Sequence, residues 1–372
     1  MLKKNLLVCL FSTLLVIVPL VDLFSPIHVF SSLENRYLSV RPSVSWHALK
    51  DGTFMKDYES YIDDQIVNRD VWMAWKAKMI RLLGLKENNN VLFGKDGYLF
   101  EKFLKYSDQY DKNYYHLMEF AMMYPDMKID FILAPNSYEV LSDLLPHGHL
   151  NLNQEKLIVE FYEAIYSTGI NGVDILEDLK LNVAYEDKLY YKLDHHWTTF
   201  GAYVAYSAYC EAIGITPITL DDLEYVVVQN FFGSLASAAK LSDAVGDSIK
   251  VYDIPYVSVY IDGIQAEGLY DFDYIDKRDK YGLFLHNNPG QMTVFSNHPL
   301  ASDEKIIVFK DSYANSFVPF LSVHYKEIEV IDLRYFKGSI DNLMKTNDYN
   351  RVLFLYNAIN FTKDTSIIKL NN

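Results

Sequence analysis

Cysteine is almost missing from this sequence. Cys9 and Cys210 are the only two in 372 residues. Cys9 lies inside an N-terminal apolar run, so neither an intramolecular disulfide framework nor a CxxC metal site can be built. Basic residues are short as well: 34 Lys and Arg stand against 49 Asp and Glu, a net charge of −15. A surface that acidic repels phosphate backbones, so no nucleic-acid partner is expected. No repeat and no low-complexity tract interrupts the chain. Half its residues are hydrophobic and 22% are charged, which is ample for a packed core and excludes disorder as the main state. What is plentiful is tyrosine, at 30 residues beside 22 Phe and 4 Trp. A ring with a polar edge suits a sugar-facing cleft and equally a Tyr-rich core.

Lys3 and Lys4 precede an apolar run at residues 6–21, broken by Ser12, Thr13 and Pro19 and closed by Asp22. This is the layout of an export signal. Sixteen residues is short for a membrane span, and extension through Leu23 and Phe24 makes a marginal one. The reading preferred here is an uncleaved signal anchor over residues 1–25, with secretion as the outcome if the signal is cleaved. Lys3 and Lys4 place the N-terminus in the cytoplasm and the remaining chain outside, on the wall side of a Gram-positive-type membrane. Residues 26–50, punctuated by Pro26 and Pro42, read as a stalk, and residues 51–372 as the folded domain.

Within that domain Phe54, Tyr58, Tyr61, Val71, Trp72 and Trp75 recur at helical spacing over residues 53–83. Residues 91–93 and 98–100 flank Gly94-Lys95-Asp96-Gly97 as a hairpin. Strands are then expected at 131–134, 172–176, 189–193, 225–228, 256–261, 281–285, 305–309, 329–333 and 351–355. Helices are expected at 154–167, 198–213, 314–324 and 339–345. Continuous apolar strands alternating with helices predict an α/β fold, a largely parallel sheet covered on both faces. Residues 215–300 are the least regular and read as an insertion or lid.

Three segments carry candidate chemistry: Asp194-His195-His196-Trp197 before a helix, Lys310-Asp311-Ser312-Tyr313 directly after a strand, and Asn287-Asn288-Pro289-Gly290. A Ser at a strand-to-helix turn exposes its hydroxyl at the carboxyl end of a sheet, with the following backbone N–H groups aimed at a developing oxyanion. A nearby His takes its proton and a carboxylate orients that His. The plainer role for Ser312 or Asn315 is to cap the helix that follows. Gly246-Asp247-Ser248 has the letters of a nucleophile motif but follows no buried strand and reads as a turn. Asp194-His195-His196 also invites a metal reading, but the further ligands that would close a site are missing at sensible spacing, His147 and His149 being an ordinary loop pair. No metal or other cofactor is expected.

Taken in order, several segments resemble the DHHW-motif family of bacterial exported proteins, which are SGNH-hydrolase-like and related to alginate-type polysaccharide O-acetylation proteins. They are Glu34-Asn35-Arg36-Tyr37-Leu38, Tyr61-Ile62-Asp63-Asp64-Gln65, Val91 to Leu99, Tyr190-Tyr191-Lys192-Leu193-Asp194-His195-His196-Trp197-Thr198, Asp311-Ser312-Tyr313-Ala314-Asn315-Ser316 and Asp332-Leu333-Arg334-Tyr335-Phe336. The resemblance implies an SGNH-hydrolase-like, flavodoxin-like fold and a triad of Asp194, His196 and Ser312, with His195 a neighbour. It aligns Asn288 with an oxyanion donor, although the Gly expected beside it is replaced, as is the Gly before Asp-Ser, by Lys310. It implies an extracytoplasmic O-acetyltransferase or esterase acting on cell-surface polysaccharide, supplied by a membrane-bound O-acyltransferase partner. The alternative is a non-catalytic protein that binds the polysaccharide or assembles an acetylation complex.

Overall fold

Four of the apolar runs, at residues 131–134, 305–309, 329–333 and 351–355, meet edge to edge in one sheet. The computed structural model describes residues 2–185 and 187–371 and joins these runs to four further strands in one eight-stranded sheet. In chain order the strands are β1 (Lys128–Ala134), β2 (Asn171–Gly172), β3 (Val257–Ile261), β4 (Ile264–Ala266), β5 (Gln291–Ser296), β6 (Ser302–Lys310), β7 (Tyr325–Ile331) and β8 (Arg351–Asn357). Their spatial order is β4-β3-β5-β7-β6-β8-β1-β2. From β7 to β2 every pairing is parallel, whereas β5, β3 and β4 add an antiparallel edge. The fold is thus mixed α/β with a mainly parallel sheet.

The runs at 306–309 and 352–356 are unbroken and apolar because both faces of the sheet are covered there. Ile306, Val308, Leu353 and Leu355 pack on one side with Tyr206 and Tyr209 of the Thr199–Ile213 helix. Ile307, Phe309, Phe131 and Phe354 pack on the other with Phe120 and Phe161, from helices Gln109–Met123 and Gln154–Tyr166. A strand buried on both faces carries no alternation, and its continuous run is the pattern that marks it.

Elsewhere the fold departs from the sequence expectation. Residues 281–285 are not a strand: Lys280–Leu283 is a 3-10 turn, and Leu285, His286 and Asn287 follow with φ of 48°, 53° and 72°, which no extended ladder accepts. Residues 189–193 contribute a single bridge, Tyr190 to Trp197. Asp247 and Ser248 open a strand, Asp247–Tyr252, paired antiparallel with Tyr225–Phe231. Segment 215–300 builds that ribbon and the antiparallel edge of the main sheet. The Gln109–Met123 helix was not anticipated.

The chain divides into two compact units, residues 1–88 with 237–244, and residues 89–236 with 245–372. The division falls after Asn88. In the first unit the expected helix over 53–83 is two helices, Thr53–Gln65 and Arg69–Leu82, broken at Asn68 with φ 56°. Residues 28–39 are tied to the helices that follow. Arg36 donates twice to Asp64, at 2.9 and 2.5 Å, and the Ser39 N–H donates to the same carboxylate at 2.8 Å. The N-terminal apolar run forms a helix, Leu2–Phe24. Among the described residues no helix is long and apolar enough to cross a membrane, so the expected spanning anchor finds no support there.

Candidate active site

The parallel strands deliver their carboxyl ends to one edge of the sheet, and the polar residues that follow them tie that edge together. β6 runs out at Lys310, and Asp311 turns the chain into a short 3-10 helix, Ser312–Ser316. One Asp311 oxygen accepts from the Tyr313 N–H at 2.8 Å, and the other accepts from the Asn357 N–H and Asn360 Nδ2, both at 2.8 Å. Asn357 ends β8 and donates to Asn136, just past β1, at 2.9 Å. Asp311, not Ser312, is thus the helix cap, and the Ser312 hydroxyl is left for another partner.

That partner is His196. Its Nε2 lies 2.7 Å from Ser312 Oγ, and its Nδ1 lies 2.5 Å from Asp194 Oδ1. With the imidazole neutral and its proton on Nδ1, the ring donates to Asp194 and accepts from the Ser312 hydroxyl. All three side chains are buried, Ser312 being 9% exposed. His196 is carried there by Trp197, whose Nε1–H donates to the Tyr313 carbonyl at 2.9 Å and Ser316 Oγ at 3.1 Å. The Thr198 hydroxyl then caps the following helix by accepting from the Gly201 N–H at 3.1 Å.

Two supporting residues escaped the sequence reading. Ser234 donates to Asp194 Oδ2 from its N–H at 2.7 Å and from its hydroxyl at 2.9 Å. The same hydroxyl receives His195 Nδ1 at 2.7 Å. Gly233 stands beside it, so close that a Cβ there would overlap the Asp194 side chain and stand 2.7 Å from its Cα. Tyr281 is the second, its hydroxyl donating to the Ser312 carbonyl at 3.0 Å. Gly-Ser after two phenylalanines is a common enough turn pattern to give no signal by itself.

The two histidines share one carboxylate yet shift in opposite directions. Burial and then the charge on His195 push His196 down to about 4. Burial opposes charge on His195 too, but Asp194 more than offsets it and lifts that ring to about 9. Burial alone would raise Asp194, yet the two imidazoles hold it well below the usual carboxylate range. At neutral pH the result is an ionised Asp194 and a neutral His196, the pairing a general base needs.

Donor atoms of Asp194, His195 and His196 lie within 4.8 Å of one another. A cation there would have to displace the His196–Asp194 hydrogen bond, since both Asp194 oxygens and both His196 nitrogens are already engaged. His147 and His149 are exposed on a loop.

Asn288 faces a cationic cluster. Its Oδ1 accepts from Lys310 Nζ at 2.9 Å and Asn315 Nδ2 at 3.3 Å, and its Nδ2 donates to Asn287 Oδ1 at 3.0 Å. Lys310 is wholly buried, also donates to Asn315 at 2.7 Å, and pairs with Asp332 at 3.3 Å. Burial pushes its ammonium down to about 8. A glycine at 310 would leave Asp332 and Asn315 without that donor. Of the backbone donors at the turn, the Tyr313 N–H is consumed by Asp311. The Ser312 N–H has no protein partner among the described residues. Ser248 lies in the two-stranded ribbon and borders a separate cavity of about 210 Å³ with Asp187, Thr199 and Lys250.

Solved structures with this fold are known. A DHHW family protein from Eubacterium siraeum matches with a TM-score of 0.65 and 21% identity over 77% of this chain and 96% of its own. PatB1 from Bacillus cereus matches with a TM-score of 0.62 and 19% identity over 75% of this chain and 99% of its own. A second PatB1 structure, with a sulfonyl adduct, gives 0.60 and 20% over the same shares. The O-acetyltransferase domain of Pseudomonas putida AlgJ is more distant, at 0.48 and 14% over 76% of this chain and 99% of its own. No curated protein matches the sequence. The model of the DHHW protein family matches residues 105–331, more than half the chain and inclusive of both the Asp-His-His-Trp and Asp-Ser segments, and the chain belongs to that family.

Proposed function

We propose that this protein is an extracytoplasmic serine-dependent O-acyltransferase or esterase of SGNH type, moving acetyl groups on or off hydroxyls of a cell-surface polysaccharide. The observation that carries the reading is the unbroken chain Asp194–His196–Ser312, with links of 2.5 and 2.7 Å. Ser312 Oγ attacks the acyl carbonyl while its proton passes to His196 Nε2, and Asp194 stabilises the imidazolium that forms. Collapse of the tetrahedral intermediate expels the donor alkoxide, which takes that proton from His196 and leaves an acyl-serine. A sugar hydroxyl or water, deprotonated by His196, then attacks the acyl group, and Ser312 recovers its proton as it departs. The Ser312 N–H is the first candidate for the oxyanion, with Asn288 as the second. Sulfonyl adducts form on nucleophilic atoms, so the PatB1 adduct is consistent with a nucleophile on this fold.

Polysaccharide hydroxyls lie outside the cell, and the Lys3-Lys4 and apolar N-terminus supports export to them. The acetyl group would come from a membrane-bound O-acyltransferase partner. The test is the purified full-length chain with a chromogenic acetyl ester. Ser312→Ala should lower hydrolysis by several orders of magnitude, because triad members act as a unit, while costing within about 1 kcal/mol of stability for the one hydrogen bond lost. An inert wild type whose glycan binding survives Ser312→Ala would establish the accessory reading instead.

A further inference from the structure

The Arg69–Leu82 helix wears its large apolar side chains on the outside. Trp72 is 64% exposed, Trp75 57% and Leu82 70%, and Val71, Met79 and Leu83 are exposed with them. Its buried side is made of small or half-buried residues, with Ala77 at 1% exposure the fully covered one. At ~100° per residue the six exposed residues fall within an arc of roughly 120°, a single stripe along the helix. A core-facing helix has the opposite arrangement. The stripe borders a groove of about 430 Å³ lined by Leu33, Val71, Ala74 and Trp75 together with Asp70 and Asp243.

Charge identifies the occupant. In a chain with net charge −15, residues 69–86 hold five Lys and Arg against one Asp. Arg69 is paired with Glu34 and Asp64, and Arg81 with Asp243 at the surface. Lys76 and Lys78 are exposed, and by the same helical arithmetic they flank the stripe, one on each side. Two tryptophans, whose rings pair an apolar body with a polar N–H, bordered by lysines, match the boundary between headgroups and acyl chains of an anionic bilayer. The preceding Thr53–Gln65 helix is acidic, so this face alone among the two suits a negative surface. The family match begins at residue 105 and assigns this helix no role.

We propose that the exposed face of the Arg69–Leu82 helix lies on an anionic phospholipid surface, with Trp72, Trp75 and Leu82 in the interface and Lys76 and Lys78 at the headgroups. The inference is independent of the acyl-transfer reading. It concerns a surface distinct from the N-terminal apolar helix, which contains no tryptophan, and that difference makes the two separable.

The test uses the full chain carrying Trp46→Phe, so that the remaining emitters are Trp72, Trp75 and the wholly buried Trp197. It is mixed with vesicles of phosphatidylglycerol and phosphatidylcholine bearing brominated acyl chains. The expected result is a blue shift and loss of roughly half the emission, as interfacial burial brings the two outer rings to the bromines. Lys76→Glu with Lys78→Glu should weaken the quenching, as should vesicles of phosphatidylcholine alone. Three results would overturn the proposal: protein that floats with the vesicles while its emission is unquenched, quenching equal with and without phosphatidylglycerol, or a blue shift that follows protein concentration without lipid, which would assign the stripe to a second copy.

Discussion

Tyr281 lies flat on His196, with ring centroids 3.8 Å apart and planes 9° from parallel. Its hydroxyl meanwhile donates to the carbonyl of Ser312 at 3.0 Å. One side chain thereby holds both the proposed base and the backbone of the proposed nucleophile, and its ring covers one face of the imidazole.

The stack and the hydroxyl can be separated. Tyr281→Phe keeps the ring and removes the donor to Ser312, so kcat/KM on an acetyl ester should fall less than about tenfold, the scale of one neutral hydrogen bond. Tyr281→Ala also frees the imidazole, and the loss should approach about a hundredfold through misplacement of the base. Equal losses in the two variants would mean that the ring does not position His196.

After burial, the charge on His195 is the next influence that lowers His196, and His195 itself does not meet the serine. Hydrolysis by the wild type should hold from neutral pH down to about 4 and fall below it, because His196 is pushed down to about 4 by burial and then by His195. His195→Asn removes that neighbouring charge, so the acid limb of the kcat/KM profile should move up by about one pH unit. Stability follows with opposite signs for the two rings. Unfolded histidine binds its proton near ~6.5. His196 therefore weakens the fold as pH drops from there towards 4, while the contribution of His195, complete below that value, is lost as pH rises through 9. Thermal melts of His195→Asn should lack the alkaline loss. An acid limb that stays in place would remove His195 from this role.

Gly233→Ala places a methyl group against the Asp194 carboxylate, with the Asp194 Cα at 2.7 Å. Either Asp194 moves or the 231–234 segment does, at a cost of about 1–3 kcal/mol for overpacking. Both routes break the Ser234–Asp194–His196 links, so activity should drop by at least about a hundredfold. Near-normal activity would show that Asp194 can be oriented without Ser234.

Topology is testable in cells. With a C-terminal epitope tag and intact spheroplasts, added protease should remove the tag, as expected if Lys3 and Lys4 remain inside and the rest is exported. A protected tag would place the site away from any surface polysaccharide and end the proposed function.

The strands of the main sheet were legible at residues 131–134, 305–309 and 351–355 because burial on both faces demands unbroken apolar runs, a local property of composition. The same reading failed at 281–285, where apolar residues with positive φ at Leu285 form a turn. Hydrophobicity reports burial, and a buried turn is as apolar as a buried strand. The two chemistry-bearing segments were also visible, Asp194-His195-His196 as a dense run of ionisable side chains and Asp311-Ser312, a weak signal alone, through its place after an apolar strand and its family resemblance.

Their roles were a different matter. The resemblance implied His196 rather than His195 for the hydroxyl, but the reach from His196 to Ser312 across 116 positions, and the hold of Ser234 and Tyr281 on the pair across 40 and 31, are relations in space. Identity and neighbours along the chain determine which groups can ionise, donate or accept. Distances of 2.5 and 2.7 Å arise only when β6 and the turn before Thr199 are packed through Trp197, because a hydrogen bond depends on position to within a few tenths of an ångström and no linear pattern encodes that.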